Sequence, residues 1–246
     1  MPTIIFTAGA KGGTGKSTAV RFLITYLRTK GFEPLLLDMD DESKTLSRYF
    51  SKAKLVDISN EFSHDVLINK ATKGGERLII ADLKAGTGRD TLSWWASLPF
   101  SQIPTVRFIC LASITSAPDS VLSFLNWAGT LRRQVSYVVF KNQKDGDVFP
   151  DYEDSPPAIA FRSNYNPVEI EMPRLHERYT VELDRLNLTI DEVLEAGINE
   201  TINGKKISET LSGVLDRARL RAFQNRIYDQ FNGDKRQPSI ISLIKI

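Results

Sequence analysis

Three glycines, two lysines and adjoining hydroxyls fall together in Lys11-Gly12-Gly13-Thr14-Gly15-Lys16-Ser17-Thr18. Glycine's freedom lets successive backbone N–H groups turn inward around an anion. A lysine closing such a run reaches the outer phosphates of a nucleotide, and the hydroxyl after it meets Mg²⁺. Lys16 and Ser17 hold those two places, with Gly12, Gly13, Thr14, Gly15 and Thr18 as the cradle. The flanks agree with this chemistry. Residues 3–7 are an apolar run that predicts a buried strand, and Ala19, Val20, Phe22, Leu23, Tyr26 and Leu27 recur at helical spacing until Gly31. Strand, glycine loop and helix together bring the positive end of a helix dipole to the same anion, the arrangement of a P-loop.

Two further apolar runs end in acids. Residues 34–37 lead into Asp38, with Asp40 two residues later, and residues 77–81 lead into Asp82. A buried parallel strand delivers its last carboxylate to the ligand edge of a sheet. Asp82 is therefore a candidate acceptor for the Ser17 hydroxyl or for Mg²⁺-bound water, and Gly86 offers a backbone N–H to a γ-phosphate. Residues 40–42 also suit a helix start near Ser43, where acids are favoured. Residues 43–52 and 63–73 read as short helices, and strands over 105–112 and 135–141 enclose a helix over 118–131. This alternation predicts an α/β fold, a doubly wound, mainly parallel sheet flanked by helices, with a helical C-terminal end. Asn142 ends one of these strands, where its amide can pair with a base edge. Residues 143–157, acidic and carrying Gly146, Pro150, Pro156 and Pro157, predict a long surface loop, and an alternating strand over 168–172 runs into Pro173. Trp94-Trp95 suits either core or a contact surface. His64 and His176 have no partner at metal-ligand spacing and are expected at the surface.

At 246 residues, with 41% hydrophobic and 25% charged, the chain can bury one substantial core, and a single domain over 1–246 is expected. A net charge of +2 supplies no global field toward nucleic acid or anionic lipid, so such binding needs a local patch. The single cysteine, Cys110, excludes an internal disulfide and lies in an apolar run as a buried thiol would. With no leader-like segment and no apolar stretch near the ~20 residues of a membrane span, a cytoplasmic protein is expected. In the last third, Ile207, Leu211, Val214, Leu215, Ala218 and Ala222 suggest an apolar stripe, extended by Phe223, Ile227 and Phe231. Residues 203–236 hold eight basic side chains against four acids, a local +4 that leaves −2 for the remainder. Arg217 and Arg221 share a helix face there, as a phosphate-contacting patch for non-specific DNA or as a solvated face. The apolar tail 239–246 is too short and too weakly cationic for stable membrane anchoring and is expected to dock as a strand or helix.

The run xKGGxGK[ST], with Lys11 before the paired glycines, resembles the deviant Walker A motif of the ParA/MinD family of dimeric ATPases. The resemblance implies ATP and Mg²⁺ as ligands, an ATP-dependent homodimer in which Lys11 reaches the partner's nucleotide, and slow hydrolysis that resets a switch. Leu36-Leu37-Asp38-Met39-Asp40 is similar to the family's switch I, which makes Asp40 the acid that positions water and Asp38 its support. Asp41-Glu42 replaces the Pro-Gln frequent in ParA proteins, leaving open which acid touches the water. The stretch from Asp82 matches the family's D-x-P-A-G at Asp82, Ala85 and Gly86, with Lys84 in place of proline. By the same resemblance Pro173 lies over the adenine. The branch most similar serves plasmid partition, stability or conjugative transfer, with an unidentified protein partner or cargo. A membrane-positioning ATPase like MinD and a carboxylate-activating enzyme of the dethiobiotin synthetase type, which shares the fold, are the alternatives, whereas an iron–sulfur carrier needs more than one cysteine.

Overall fold

The computed structural model describes residues 1–9, 11–58, 60, 62–85, 88–197, 201–202 and 204–244, the side chains of 88–90 and 205 excepted. In chain order, β1 (Thr3–Ala8) enters the glycine loop and α1 (Lys16–Thr29) leaves it. Then come β2 (Leu35–Met39), α2 (Thr45–Tyr49), β3 (Lys54–Leu55), α3 (Asp65–Thr72), β4 (Leu78–Leu83) and α4 (Gly88–Ser97). They are followed by β5 (Arg107–Ile114), α5 (Pro118–Leu131), β6 (Ser136–Asn142), α6 (Pro150–Glu153), α7 (Pro156–Tyr165) and β7 (Val168–Met172). The C-terminal part holds α8 (Glu177–Leu186), α9 (Ile190–Glu195), a hairpin of β8 (Thr201–Ile202) and β9 (Lys205–Lys206), α10 (Glu209–Ser212), α11 (Val214–Phe231) and α12 (Ile240–Ile244).

β1 to β7 form one parallel sheet in the order β3-β2-β4-β1-β5-β6-β7. The winding reverses at β1, so the glycine loop leaves the sheet at its topological switch point, where open α/β sheets bind ligands. Helices cover both faces, which is why β1, β4 and β5 read as unbroken apolar runs. Ile4, Phe6 and Ala8 join one core with residues of α3, α4 and α5, and Ile5 joins the other with residues of α1, α8 and α11. Cys110 is fully buried in the first core, and burial pushes its thiol pKa up.

The helix over 118–131 is found at its predicted limits, and the apolar tail docks as predicted. In α12, Ile240 and Ile244 are buried, and the Ile244 carbonyl accepts from Thr3 Oγ1 at 3.0 Å and Arg107 Nη1 at 2.8 Å. Three expectations need correction. The acidic stretch 143–157 is a loop only as far as Phe149, because Pro150 and Pro156 open α6 and α7, with Phe149 and Tyr152 buried beneath. His64 is 8% exposed, its ring against Trp94 at 5.2 Å, instead of lying at the surface. The C-terminal stripe is also displaced. Gly213 is extended (φ −60°, ψ 141°), so helical phase restarts at Val214 and the buried face of α11 becomes Leu220, Gln224, Ile227 and Phe231. Val214 and Leu215 are left 73% and 69% exposed. Leu220→Ala is accordingly expected to cost about 2–4 kcal/mol in urea unfolding, and Leu215→Ala less than about 0.5 kcal/mol.

Candidate functional site

The glycine loop is shaped by contacts from beneath. Gly15 caps α1 with φ +94°, and a Cβ there would come 2.4 Å from Asn142 Nδ2, so only glycine fits on both counts. The Thr14 carbonyl accepts from Ser113 Oγ at 2.7 Å and from Asn142 Nδ2 at 2.9 Å, two donors at the ends of β5 and β6. Lys16, 7% exposed, donates to the Lys11 carbonyl at 2.8 Å. Burial lowers its pKa, while Asp82 and Asp40 pull it back up. The loop forms one wall of a cavity of about 820 Å³, to which residues 13–18, Asp40, Asn142 and Pro173 all contribute.

Asp82 is buried at the end of β4. Its Oδ1 accepts from Thr7 Oγ1 at 3.3 Å, the Ser17 hydroxyl is near enough to draw its pKa down, and Oδ2 is buried with no hydrogen-bond partner. Burial pushes its pKa up to about 6, and the nearby Asp38 adds to the rise. A carboxylate with one orphaned oxygen beside a serine hydroxyl is a hard-oxygen donor set, which suits Mg²⁺. Among the described residues no three His, Cys, Asp or Glu side chains gather to hold a metal.

The two acids at the end of β2 do different work. Asp38, wholly buried, accepts from the Asp40 amide at 3.2 Å and the Ser47 amide at 2.7 Å, and so fixes the loop that connects β2 to α2. Asp40 lines the cavity and also closes its own turn, accepting from the Glu42 and Ser43 amides at 3.1 and 2.9 Å and from Ser43 Oγ at 2.6 Å. Asp40 does not cap a helix at Ser43: α2 begins at Thr45, with Lys44 at its N-cap and no side-chain cap bond.

Lys11 does not join Lys16 over the cavity. Its ammonium pairs with Asp119 in the first turn of α5, where both side chains are about half exposed (49% and 57%). Asn142 uses one amide hydrogen on Thr14 and its carbonyl on the Lys144 amide at 3.1 Å. Gly86 lies outside the described residues. Trp95 is buried and stacked on Phe6 at 3.8 Å, so its half of the tryptophan pair is core, and Trp94 Nε1 donates to Asp65 at 2.9 Å. His176 caps α8. Arg217, read from sequence as one of a basic pair, turns inward and donates to the Val193 and Leu194 carbonyls at 2.7 Å each, which leaves Arg219 and Arg221 as the outward-facing cations nearby. Thr7, Ser113 and Asp119 were not among the sequence candidates. Thr7 and Ser113 sit within one residue of a strand's end, and that position is the one signal pointing to them.

The charge state of Asp82 gives a direct test. Its folded pKa of about 6 exceeds the ordinary 3.8, so the fold favours the neutral form, and this contribution is lost as pH rises from 3.8 through 6. Asp82→Asn, neutral throughout, is expected to stabilise the ligand-free protein by about 2–3 kcal/mol at pH 7 and to lose most of that gain at pH 4, read from urea midpoints. The same variant should lose the Mg²⁺-dependent part of its nucleotide affinity.

The CobQ/CobB/MinD/ParA nucleotide binding domain family matches residues 5–240. Comparison with curated protein sequences gave no match. Among solved structures, the MinC:MinD cell division protein complex of Aquifex aeolicus is similar over 79% of this chain and 89% of that one, with TM-score 0.52 and 15% identity. A plasmid partition protein of Borrelia burgdorferi bound to AMPPNP is matched over 90% of this chain and 99% of that one, with TM-score 0.48 and 14% identity. A nucleotide-binding protein of Archaeoglobus fulgidus in complex with ADP is matched over 75% and 88%, with TM-score 0.44 and 15% identity. With its glycine loop at the switch point of a seven-stranded parallel sheet, the chain belongs to the CobQ/CobB/MinD/ParA nucleotide-binding family.

Proposed function

We propose that this protein is an ATP-hydrolysing switch of the ParA/MinD type that dimerises across its nucleotide face. The observation that carries the reading is the division of labour between the two loop lysines. Lys16 is buried at the phosphate cradle, whereas Lys11 is held at the surface by a single exposed ion pair. Such a pair is worth only about 0–1 kcal/mol, so a partner's phosphates compete for Lys11 readily. In-line attack forms the bond from the water oxygen to the γ-phosphorus and breaks the bond to the β–γ bridging oxygen, releasing ADP and phosphate. Lys16 leaves the Lys11 carbonyl to neutralise the developing charge, and Asp40 orients the water from the cavity wall. Ser17 and Asp82 would hold Mg²⁺, which would supply Lewis-acid charge to the phosphates.

Partition, stability or transfer of plasmid DNA is the role proposed within the family, with Arg219 and Arg221 contacting phosphates. The burial of Ile240 and Ile244 speaks against the C-terminal segment as a membrane anchor. A second reading, ATP-dependent activation of a small carboxylic acid, is favoured by one feature: the cavity continues along α1 past Thr18 to Thr25 and Phe223.

Light scattering on Asp40→Ala should show mass doubling with Mg·ATP, and Asp40→Ala combined with Lys11→Ala should remain monomeric. Monomer throughout, with turnover only when a carboxylic acid is added, would establish the second reading instead. Asp40→Ala is expected to lower kcat about 100-fold or more with KM little changed. Arg219→Glu with Arg221→Glu should weaken DNA binding and reduce the log–log salt slope by about 2, and unchanged binding removes DNA as the partner of this face.

A further inference from the structure

We propose that Lys84 is a positioning residue that ties the loop after β4 to the loop after β2, and so fixes the 40–43 turn carrying Asp40. Its catalytic consequence rests on the ATPase reading; the tie itself does not. The sheet register creates the opportunity. Asp38 pairs with Asp82 and Met39 with Leu83, so the next residues, Asp40 and Lys84, leave the two strands side by side at the ligand edge. Lys84 Nζ then donates to Asp41 Oδ1 and Glu42 Oε1, each at 2.8 Å. The lysine side chain is 17% exposed while its partners are 52% and 78% exposed, so the better-fixed member of the cluster is the lysine. Its ammonium holds the Asp41 carboxyl below the usual carboxylate range.

The same turn is closed from inside by Asp40, whose oxygens take up the Glu42 and Ser43 amides. The turn is therefore gripped twice, by its own aspartate within and by Lys84 without. One surface ion pair holds a loop weakly, and here a single ammonium engages two carboxylates on consecutive residues, which limits both the translation and the twist of the turn. The Asp40 carboxylate is consequently presented to the cavity from a turn whose outer edge is anchored to β4, the strand that also carries Asp82. An interaction of this kind is screened by salt, with a Debye length of about 3 Å at 1 M.

The test compares Lys84→Met, which removes the charge and keeps the stem, with Lys84→Arg and with Asp41→Asn combined with Glu42→Gln. In the nucleotide-free protein at low salt, hydrogen exchange at the Glu42 and Ser43 amides should quicken about tenfold in Lys84→Met and in the carboxylate double variant. Lys84→Arg should keep most of the protection, and wild type in about 1 M salt should approach Lys84→Met. In ATP turnover, Lys84→Met should lower kcat about five- to tenfold with KM and ADP affinity within about twofold. Unchanged exchange in Lys84→Met overturns the proposal, as does a loss of nucleotide affinity equal to the loss in kcat, which would make Lys84 a phosphate ligand. If wild type does not hydrolyse ATP, the ATPase reading falls while the exchange comparison still decides whether Lys84 holds the turn.

Discussion

Parallel pairing delivers the last residue of every strand to one edge, and every feature of the site depends on β1 lying between β4 and β5 in that arrangement. Phe6 is paired with Ala81 on one side and Cys110 on the other. From that register the glycine loop, Asp82 and Ser113 emerge together, with Asn142 one strand further out. The sheet brings its parts to the same place because the strands point the same way.

That edge is also where the fold accepts local disadvantage. A carboxylate is buried with one oxygen unpaired, an ammonium is buried with a backbone carbonyl for company, and the chain turns through a left-handed glycine directly above an asparagine amide. Each is unfavourable taken alone. Two large apolar cores on either side of the sheet outweigh them. Unpaired groups at one edge are also groups with something to gain from a ligand, and a ligand that binds only the folded state stabilises it by mass action.

Much of this was legible in the residues themselves. Apolar runs ending in Asp38, Asp82 and Asn142 announce strands and their edge, and the proline opening α5 marks a helix whose limits are recovered in full. What escaped has physical causes. The predicted C-terminal stripe is buried at Ile207, Leu211, Ile227 and Phe231 but not at Val214 and Leu215, because Gly213 breaks the helix and resets its phase, which periodicity counted across the break cannot register. The helices at Pro150 and Pro156 were hidden by the same prolines that suggested a loop. Arg217 looked like a surface cation because helix spacing says nothing of the Val193 and Leu194 carbonyls waiting opposite. Ser113 and Asp119 belong to no motif; they matter through contacts some hundred positions away in the chain, which only the folded arrangement discloses.

One hydrogen bond links the inside of the site to its outside. The Lys16 ammonium is clipped to the carbonyl of Lys11, the residue whose own side chain faces solvent. The group that accepts inside the cradle and the cation presented outside it therefore belong to one residue, separated by no more than its own backbone and side chain.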